Sequence, residues 1–542
     1  MSRNSELSLL RIPPFPGHRA EPLAKAGFSN CDPAELASAL KHERVGGQFW
    51  GPVAVLPDGI RRVLAPQSTN QLADMLAATG QERAAILEYP RVRVPTGHHC
   101  IAATTDPWGL AGLADEIWAG AGHELALIAA LAGTPIRLFG DGVFAGCEQD
   151  PHSVAASAVS QWAYASPFTQ APCGALDAVA LLGEWRCLID TNKRIAAVHG
   201  VARWKRVTLD ALLWDGTSRH GFVRPTVPHH VPSGAHAVWK SRTSAKRVAR
   251  LEAQAVPLAE IEDGFIRSIG LGANCVPPLS VIVDFGGIYF DPATASDLER
   301  LLEQSEIDST LCQRASSLRA RLVNASISKY GQGISSVIRQ QNAKKQVLVA
   351  GQVEDDRSII SGGAGTTNLQ LLERVRALEP DAWLVYKPHP DVEAGHRKGH
   401  IPASEALRYA DEIAENTPII PLIQSVDEVQ VITSLAGFEA LLRGKTVTTH
   451  GVPFYAGWGL THDLAAIPPR RTRRRRLDEL VAATLILYPR YLDPLTRLPC
   501  PPEILVECMA RGEARVTSSL VLLRELQGRL QRTWGRLAGM AN

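Results

Sequence analysis

No apolar run in this 542-residue chain approaches the roughly 20 residues that a membrane-spanning helix needs. Met1 to Pro14 lacks a long apolar core and a small-residue cleavage site, so no secretory leader is expected. Cysteine is sparse: nine residues are scattered, with no C-x-x-C and no close His pairing. That argues against a zinc site and a disulfide framework, and fits a reducing compartment. An excess of one charge is missing too, because 57 Lys and Arg against 55 Asp and Glu leave +2, which excludes a bulk polyelectrolyte. Neither a Walker loop nor a Gly-x-Gly-x-x-Gly follows a strand, so neither an NTPase nor a dehydrogenase is indicated. No cluster of carboxylates at D-x-D-type spacing suggests a bound divalent ion, so no metal and no other cofactor is expected. What remains is a soluble, cytoplasmic protein of about three or four domains at roughly 150 residues each.

The chain is organised around Val347-Leu-Val-Ala-Gly351-Gln352-Val-Glu354-Asp355-Asp356. A short apolar run bounded by Gly reads as a buried parallel strand, whose C-terminal end is where open α/β sheets hold ligands. Three acids there repel one another and cost desolvation; the plain alternative is a solvated acidic loop.

An internal repeat accounts for the N-terminal third. Tyr164-Ala-Ser-Pro167-Phe-Thr169-Gln-Ala-Pro172-Cys173 aligns without gaps with Tyr491-Leu-Asp-Pro494-Leu-Thr496-Arg-Leu-Pro499-Cys500. Upstream, Asp115-Glu116-Ile117 through Ile136 matches Asp427-Glu428-Val429 through Val447 as strand, helix and strand. The earlier copy has Gly122-His123 against Thr433-Ser434, and Ile128 against Glu439. Its strand Ala84–Leu87 leads only to Glu88-Tyr-Pro-Arg91, where the later copy has Lys387-Pro-His389-Pro390, and no Gln-x-x-x-Asp is found ahead of it. Residues 1–200 therefore read as a shortened, degenerate copy whose role is packing or partner binding.

Beyond a Pro/His/Gly-rich linker (224–234), strands are expected at 235–239 and 257–261, the latter running into Glu262-Asp263-Gly264, and at 279–284. Residues 296–340 read as mainly helical. In the second half, strands end at Gly351, Lys387, Thr433-Ser434 and His450, and a helix with Leu369, Leu372, Val375 and Leu378 packs on the sheet. Polar groups thus gather at one sheet edge, giving two Rossmann-like domains with a cleft between them. The expected spans are 201–340 for the first, 341–510 for the second, and a C-terminal helix over 511–542.

Lys387 and His389, each flanked by proline, suit a phosphate, as do the Thr433 and Ser434 hydroxyls at a helix start. Glu439 either holds a ribose hydroxyl or caps local amides. Glu262 and Asp263 on one domain and Asp356 on the other supply the two carboxylates that glycosyl chemistry requires. The run Arg470-Arg471-Thr-Arg473-Arg474-Arg475-Arg476 lacks interleaved aromatics and reads first as a solvated helix entry, then as a contact for anionic lipid or acidic glycan, with nucleic acid last.

Glu262-Asp-Gly-Phe-Ile-Arg-Ser-Ile-Gly-Leu-Gly272, Gly351-Gln-Val-Glu-Asp-Asp356, Lys387-Pro-His-Pro390, Thr433-Ser-Leu-Ala-Gly-Phe-Glu439, Pro453-Phe-Tyr-Ala-Gly-Trp-Gly-Leu460 and Leu485-Ile-Leu-Tyr-Pro-Arg-Tyr491 together resemble the KpsC-type capsule-polysaccharide β-Kdo transferases, over residues 200–510. The resemblance implies a GT-B fold and retaining transfer of Kdo from CMP-Kdo to a lipid-linked glycan, with peripheral contact to the inner membrane and to capsule assembly proteins. It assigns Asp356 as nucleophile and Glu262 as acid/base, with Asp355 and Asp263 as neighbouring alternatives. Gln352 belongs to the nucleophile motif, and His389 and Ser434 match the motifs that hold the CMP phosphate. Lys387, Thr433 and Glu439 complete the expected nucleotide site. Arg267, Arg473, Arg474 and Arg475 are the candidates for contact with acceptor or lipid. Family members with two full modules build alternating linkages, from which this chain departs. The rival readings are a transferase of another activated sugar, or a non-catalytic scaffold of glycan assembly.

Overall fold

The computed structural model describes residues 8–80, 82–217, 234–268, 276–328, 331–332, 345–395 and 397–514. The expected helix over 511–542 falls outside them from 515 on, as do most of the 224–234 linker and Ile269–Gly272 of the first motif. Two compact units form: Met1–Ala196 with Leu209–Gly221 and Leu495–Leu498, and Ala197–Thr208 with Phe222–Pro494 and Pro499–Asn542. The first therefore takes in residues far from the 1–200 span that the sequence suggests.

The first unit is built on five parallel strands, β1 (Arg62–Ala65), β2 (Ala84–Leu87), β3 (His99–Ile101), β4 (Glu116–Gly120) and β5 (Ile136–Phe139), in the order β3-β2-β1-β4-β5. Helix α1 (Thr69–Thr79) follows β1, capped by Ser68 Oγ, and α2 (Glu124–Ala132) follows β4. The latter ends at Gly133, whose φ of +90° lies where glycine is favoured. A large apolar core covers the sheet, in which Phe15 meets Trp185 and Trp214 edge-on.

In the second unit, β6 (Ile195–His199), β7 (Ala235–Val238), β8 (Leu258–Asp263) and β9 (Ser280–Asp284) form one sheet. The other contains β10 (Gln346–Ala350), β11 (Trp383–Lys387), β12 (Glu412–Ile413), β13 (Glu428–Val431), β14 (Thr446–Thr449) and β15 (His462–Asp463). It is parallel throughout and ordered β12-β11-β10-β13-β14-β15, the arrangement of the first unit with one strand added. Val347, Leu348 and Val349 are fully buried in its centre, as a continuous apolar run with helices on both faces requires. The unit also contains helices α3 (Asp297–Gln304), α4 (Arg357–Gly362), α5 (Asn368–Leu378), α6 (Pro390–Glu393) and α7 (Leu435–Leu442). Helix α5 packs through Leu371, Leu372 and Val375, while Leu378 is exposed.

The chain then returns. Strands β16 (Arg490–Leu492) and β17 (Pro499–Cys500) extend the first sheet as β17-β16-β9-β8-β7-β6, so the 341–510 span is not one domain. The repeat is visible residue for residue here. Tyr164 pairs with Cys173 and Ala165 with Pro172 in one hairpin; Tyr491 pairs with Cys500 and Leu492 with Pro499 in the other. Both tyrosine hydroxyls donate to a carbonyl a few residues upstream, Val159 O at 3.0 Å and Leu485 O at 2.7 Å.

Candidate active site

Strand β10 ends at Ala350, one residue before the Gly351 that the sequence suggests, and Asp356 caps α4 six residues after the strand. Its Oδ1 accepts from Ser358 N at 3.0 Å and Ser358 Oγ at 2.7 Å, and Oδ2 makes no bond among the described residues. Asp355 instead pairs with Arg397 at 3.0 Å. Gln352 is buried; its Oε1 accepts from Thr433 N at 2.8 Å and its Nε2 donates to Thr433 Oγ1 at 3.2 Å. Asn368, fully buried and not singled out from sequence, donates to the carbonyls of Gln352 and Gly399 and accepts from Gln352 N. The Gln352 side chain thus locks two strand ends together.

His389 caps α6, its Nδ1 accepting from Asp391 N at 3.1 Å, so the proton sits on Nε2. Burial lowers its pKa, opposed by the nearby Asp391 and Asp356 carboxylates; the Asp356 field reaches this imidazole. Lys387 is 4% exposed and bound through Nζ to both oxygens of Glu393 at 2.9 Å, so its charge is already balanced. Beside this loop opens a cavity of about 530 Å³, lined among others by Tyr386, Pro388, Glu393, Glu415, Asn416 and Thr417. The buried Tyr386 hydroxyl has no hydrogen-bond partner among the described residues. Ser434 caps α7 through Oγ to Ala436 N at 3.2 Å, and its carbonyl accepts from Tyr455 at 2.5 Å.

On β8, Asp263 is held from two sides, by Lys205 Nζ at 3.0 Å and Arg267 Nε at 2.8 Å. Lys205 also lies 3.3 Å from the Trp239 ring centroid, and burial brings its pKa down to about 8. Asp263 is therefore a structural anion, whereas Glu262 beside it is half-buried and accepts from Asp263 N at 3.0 Å. Gly264 is required by close approach, since a Cβ there would stand 2.1 Å from Ser280 Oγ. Glu260, two residues before Glu262, pairs with Arg357, the residue after Asp356. Among the described residues no three His, Cys, Asp or Glu converge as metal ligands.

Several expectations need correction. Arg267 is fully buried and donates to Asp263, Ser268 Oγ and Val276 O, so it cannot contact an acceptor or a lipid surface. Within the arginine run Arg474 and Arg476 are exposed, and Arg476 caps the helix Leu477–Val481, but the other four are paired inward rather than solvated. Arg470 and Arg471 share Glu299 on α3, and Arg473 pairs with Glu306 at 2.6 Å. Arg475, also buried, donates to the carbonyls of Leu302 and Ser305. Arg474 alone of the named candidates is exposed without a partner among the described residues. Glu439 is bound by Arg443 Nη1 at 2.6 Å. Finally, Phe265, Phe438, Phe454 and Tyr488 cluster with Tyr289, so four of the quoted motifs also share one aromatic core.

In the first unit the lock survives. Gln67 follows β1 as Gln352 follows β10, and its Oε1 accepts from Gly122 N at 3.1 Å. The sequence comparison misses this glutamine because the segments joining the first two strands differ in length, 66–83 against 351–382. Gln71 stands four residues on, where the later copy has Asp356, and bonds to Gln67 N and Phe139 O. His123 caps α2 through Nδ1 to Leu125 N, as Ser434 caps α7, and Ile128 lies buried at the place of Glu439. The scaffold is kept and the carboxylates are gone.

The profile of a family described as "Capsule polysaccharide biosynthesis protein" matches residues 235–325 and 310–491. The capsule polysaccharide modification protein LipA of Neisseria meningitidis serogroup A is 49% identical over 257 residues, 47% of this chain and 36% of LipA. The chain thus spans little more than a third of that relative's length. The lipopolysaccharide-processing protein LpsZ of Rhizobium meliloti is 39% identical over 329 residues, 58% of this chain and 74% of LpsZ. Among solved structures, the KpsC beta Kdo 2,4 transferase of Thermosulfurimonas dismutans superposes with a TM-score of 0.50 at 31% identity, covering 58% of this chain and 98% of that one.

Proposed function

Because the chain belongs to the KpsC-type capsule polysaccharide biosynthesis family, we propose that its second unit is a retaining glycosyltransferase that moves Kdo from CMP-Kdo onto a lipid-linked glycan. The observation that carries this reading is Asp356: one oxygen is fixed by Ser358, the other is open, and His389 lies within its field. In the first step, Oδ2 attacks the anomeric carbon, the bond to the phosphate oxygen breaks, and CMP leaves with its charge met by His389 Nε2–H and the Ser434 end of α7. In the second, Glu262 takes the proton of an acceptor hydroxyl, which displaces Asp356 from the sugar. Two inversions give net retention. The cavity beside the Lys387–Pro390 loop is of a size that suits a nucleoside.

Asp356 is the nucleophile in this reading rather than Asp355, and Glu262 the proton acceptor rather than Asp263. Gln352, Lys387 and Thr433 hold the site in shape. No metal or other cofactor is invoked. Among the described residues no helix is long and apolar enough to cross a membrane; the enzyme works at the cytoplasmic face of the inner membrane, beside the proteins that assemble capsule. Full-length protein given CMP-Kdo and a Kdo-terminated lipid should yield CMP and a product one sugar heavier. A product from a different nucleotide sugar would shift the reading to that donor, and none from any donor would leave the scaffold reading standing.

A further inference from the structure

Glu260 and Glu262 are two residues apart on β8, so their side chains leave the same face of the strand, about 7 Å apart along it. Glu260 is only 4% exposed, and a charge so buried calls for partners of opposite sign. It has two: Lys240 Nζ at 2.8 Å and the Arg357 guanidinium. Arg357 is the first residue of α4, directly after Asp356, and its Cζ lies 4.9 Å from the centre of the Phe290 ring. One ion pair therefore joins the neighbour of Asp356 to the strand-mate of Glu262.

We propose that the Arg357–Glu260 pair is the joint that sets the separation of the Asp356 and Glu262 carboxylates, making both members positioning residues for transfer. This rests on the reading of Asp356 and Glu262 as the reacting groups. Displacement by one carboxylate and proton removal by the other demand a geometry held to about 0.5 Å. Helix α4 has six residues and gains little rigidity of its own. Its far end is tied to the loop after β14, where Val452 N donates to Gly362 O at 2.9 Å. The Ser358 bonds orient Asp356 on the helix but do not reach β8; Arg357 does. Its Nη1 donates to Glu260 Oε1 while the guanidinium lies over Phe290, a combination that a lysine cannot reproduce.

The test compares Arg357→Met, Arg357→Lys and the isosteric Glu260→Gln with wild type in the full chain, by steady-state kinetics, CMP calorimetry and amide hydrogen exchange. The expected result for Arg357→Met and Glu260→Gln is a kcat at least thirtyfold lower, with donor KM and CMP Kd within twofold. Exchange in 356–363 should be at least fivefold faster and that in 383–389 unchanged, with Arg357→Lys intermediate. A kcat within threefold of wild type, or unchanged exchange in α4, overturns the joint. So does faster exchange everywhere, which would mark a general brace. A wild-type chain that turns over no CMP-Kdo sinks the functional reading alone; exchange in α4 then decides the joint by itself.

Discussion

Asp355 gives its carboxylate to Arg397, whereas Asp356 keeps one oxygen open, and this difference between neighbours makes a sharp prediction. Asp356→Asn should lower transfer at least a thousandfold, the scale on which losing a nucleophile is felt, while Asp355→Asn stays within about tenfold. Glu262→Gln should stall turnover and let a sugar adduct accumulate on Asp356, read by intact mass and peptide mapping. His389→Ala should weaken CMP binding by about 1.5–3 kcal/mol, the worth of a hydrogen bond to a charged group, as measured by calorimetry. Three other histidines make stability depend on pH. Burial lowers His123, His199 and His450 to about 4; His199 meets His236 at 3.0 Å and His450 meets Gln430 at 2.9 Å. Unfolded, each titrates near 6.5. Between those values the unfolded chain binds more protons, so stability is full above about 6.5 and falls as pH drops toward 4. Urea midpoints at pH 7, 5.5 and 4.5 should decrease in that order. The residue types of the site were readable from sequence because they sit in short motifs at strand ends. Which of two adjacent acids is committed elsewhere was not, since Arg397, Lys205 and Arg267 reveal themselves as partners only in three dimensions.

At the scale of elements, the central strand β10 could be read directly, because four buried apolar residues followed by Gly leave few alternatives. The return of the chain into the first sheet could not, since Tyr491 pairs with Ser280 across some two hundred residues. The arginine run misled for the same reason: Arg471 finds Glu299 at 172 residues' separation, and nothing local marks a basic run as internal glue. Arg471 is buried against Glu299 and the carbonyls of Pro453 and Ala456. Removing one partner of such a pair strands the other, so Arg471→Ala should cost about 3–5 kcal/mol. Arg474→Ala, at an exposed position without a partner among the described residues, should stay within about 0.5 kcal/mol. Chemical denaturation of both variants checks the contrast.

For the molecule as a whole, the first unit repeats the strand order of the second and its glutamine lock, yet places Gln71 and Ile128 where Asp356 and Glu439 stand. Calorimetry on the full chain should therefore give one CMP per chain, and a second equivalent surviving His389→Ala would mean that the first unit binds nucleotide.

The first unit also contains Leu498, fully buried in its core, and Thr496, whose carbonyl takes the Arg19 amide at 2.7 Å. A ribosome delivers residues 10–196 long before residue 498. During synthesis the first unit must wait with a gap in its core while nearly three hundred further residues emerge, and its completion is among the last events rather than the first.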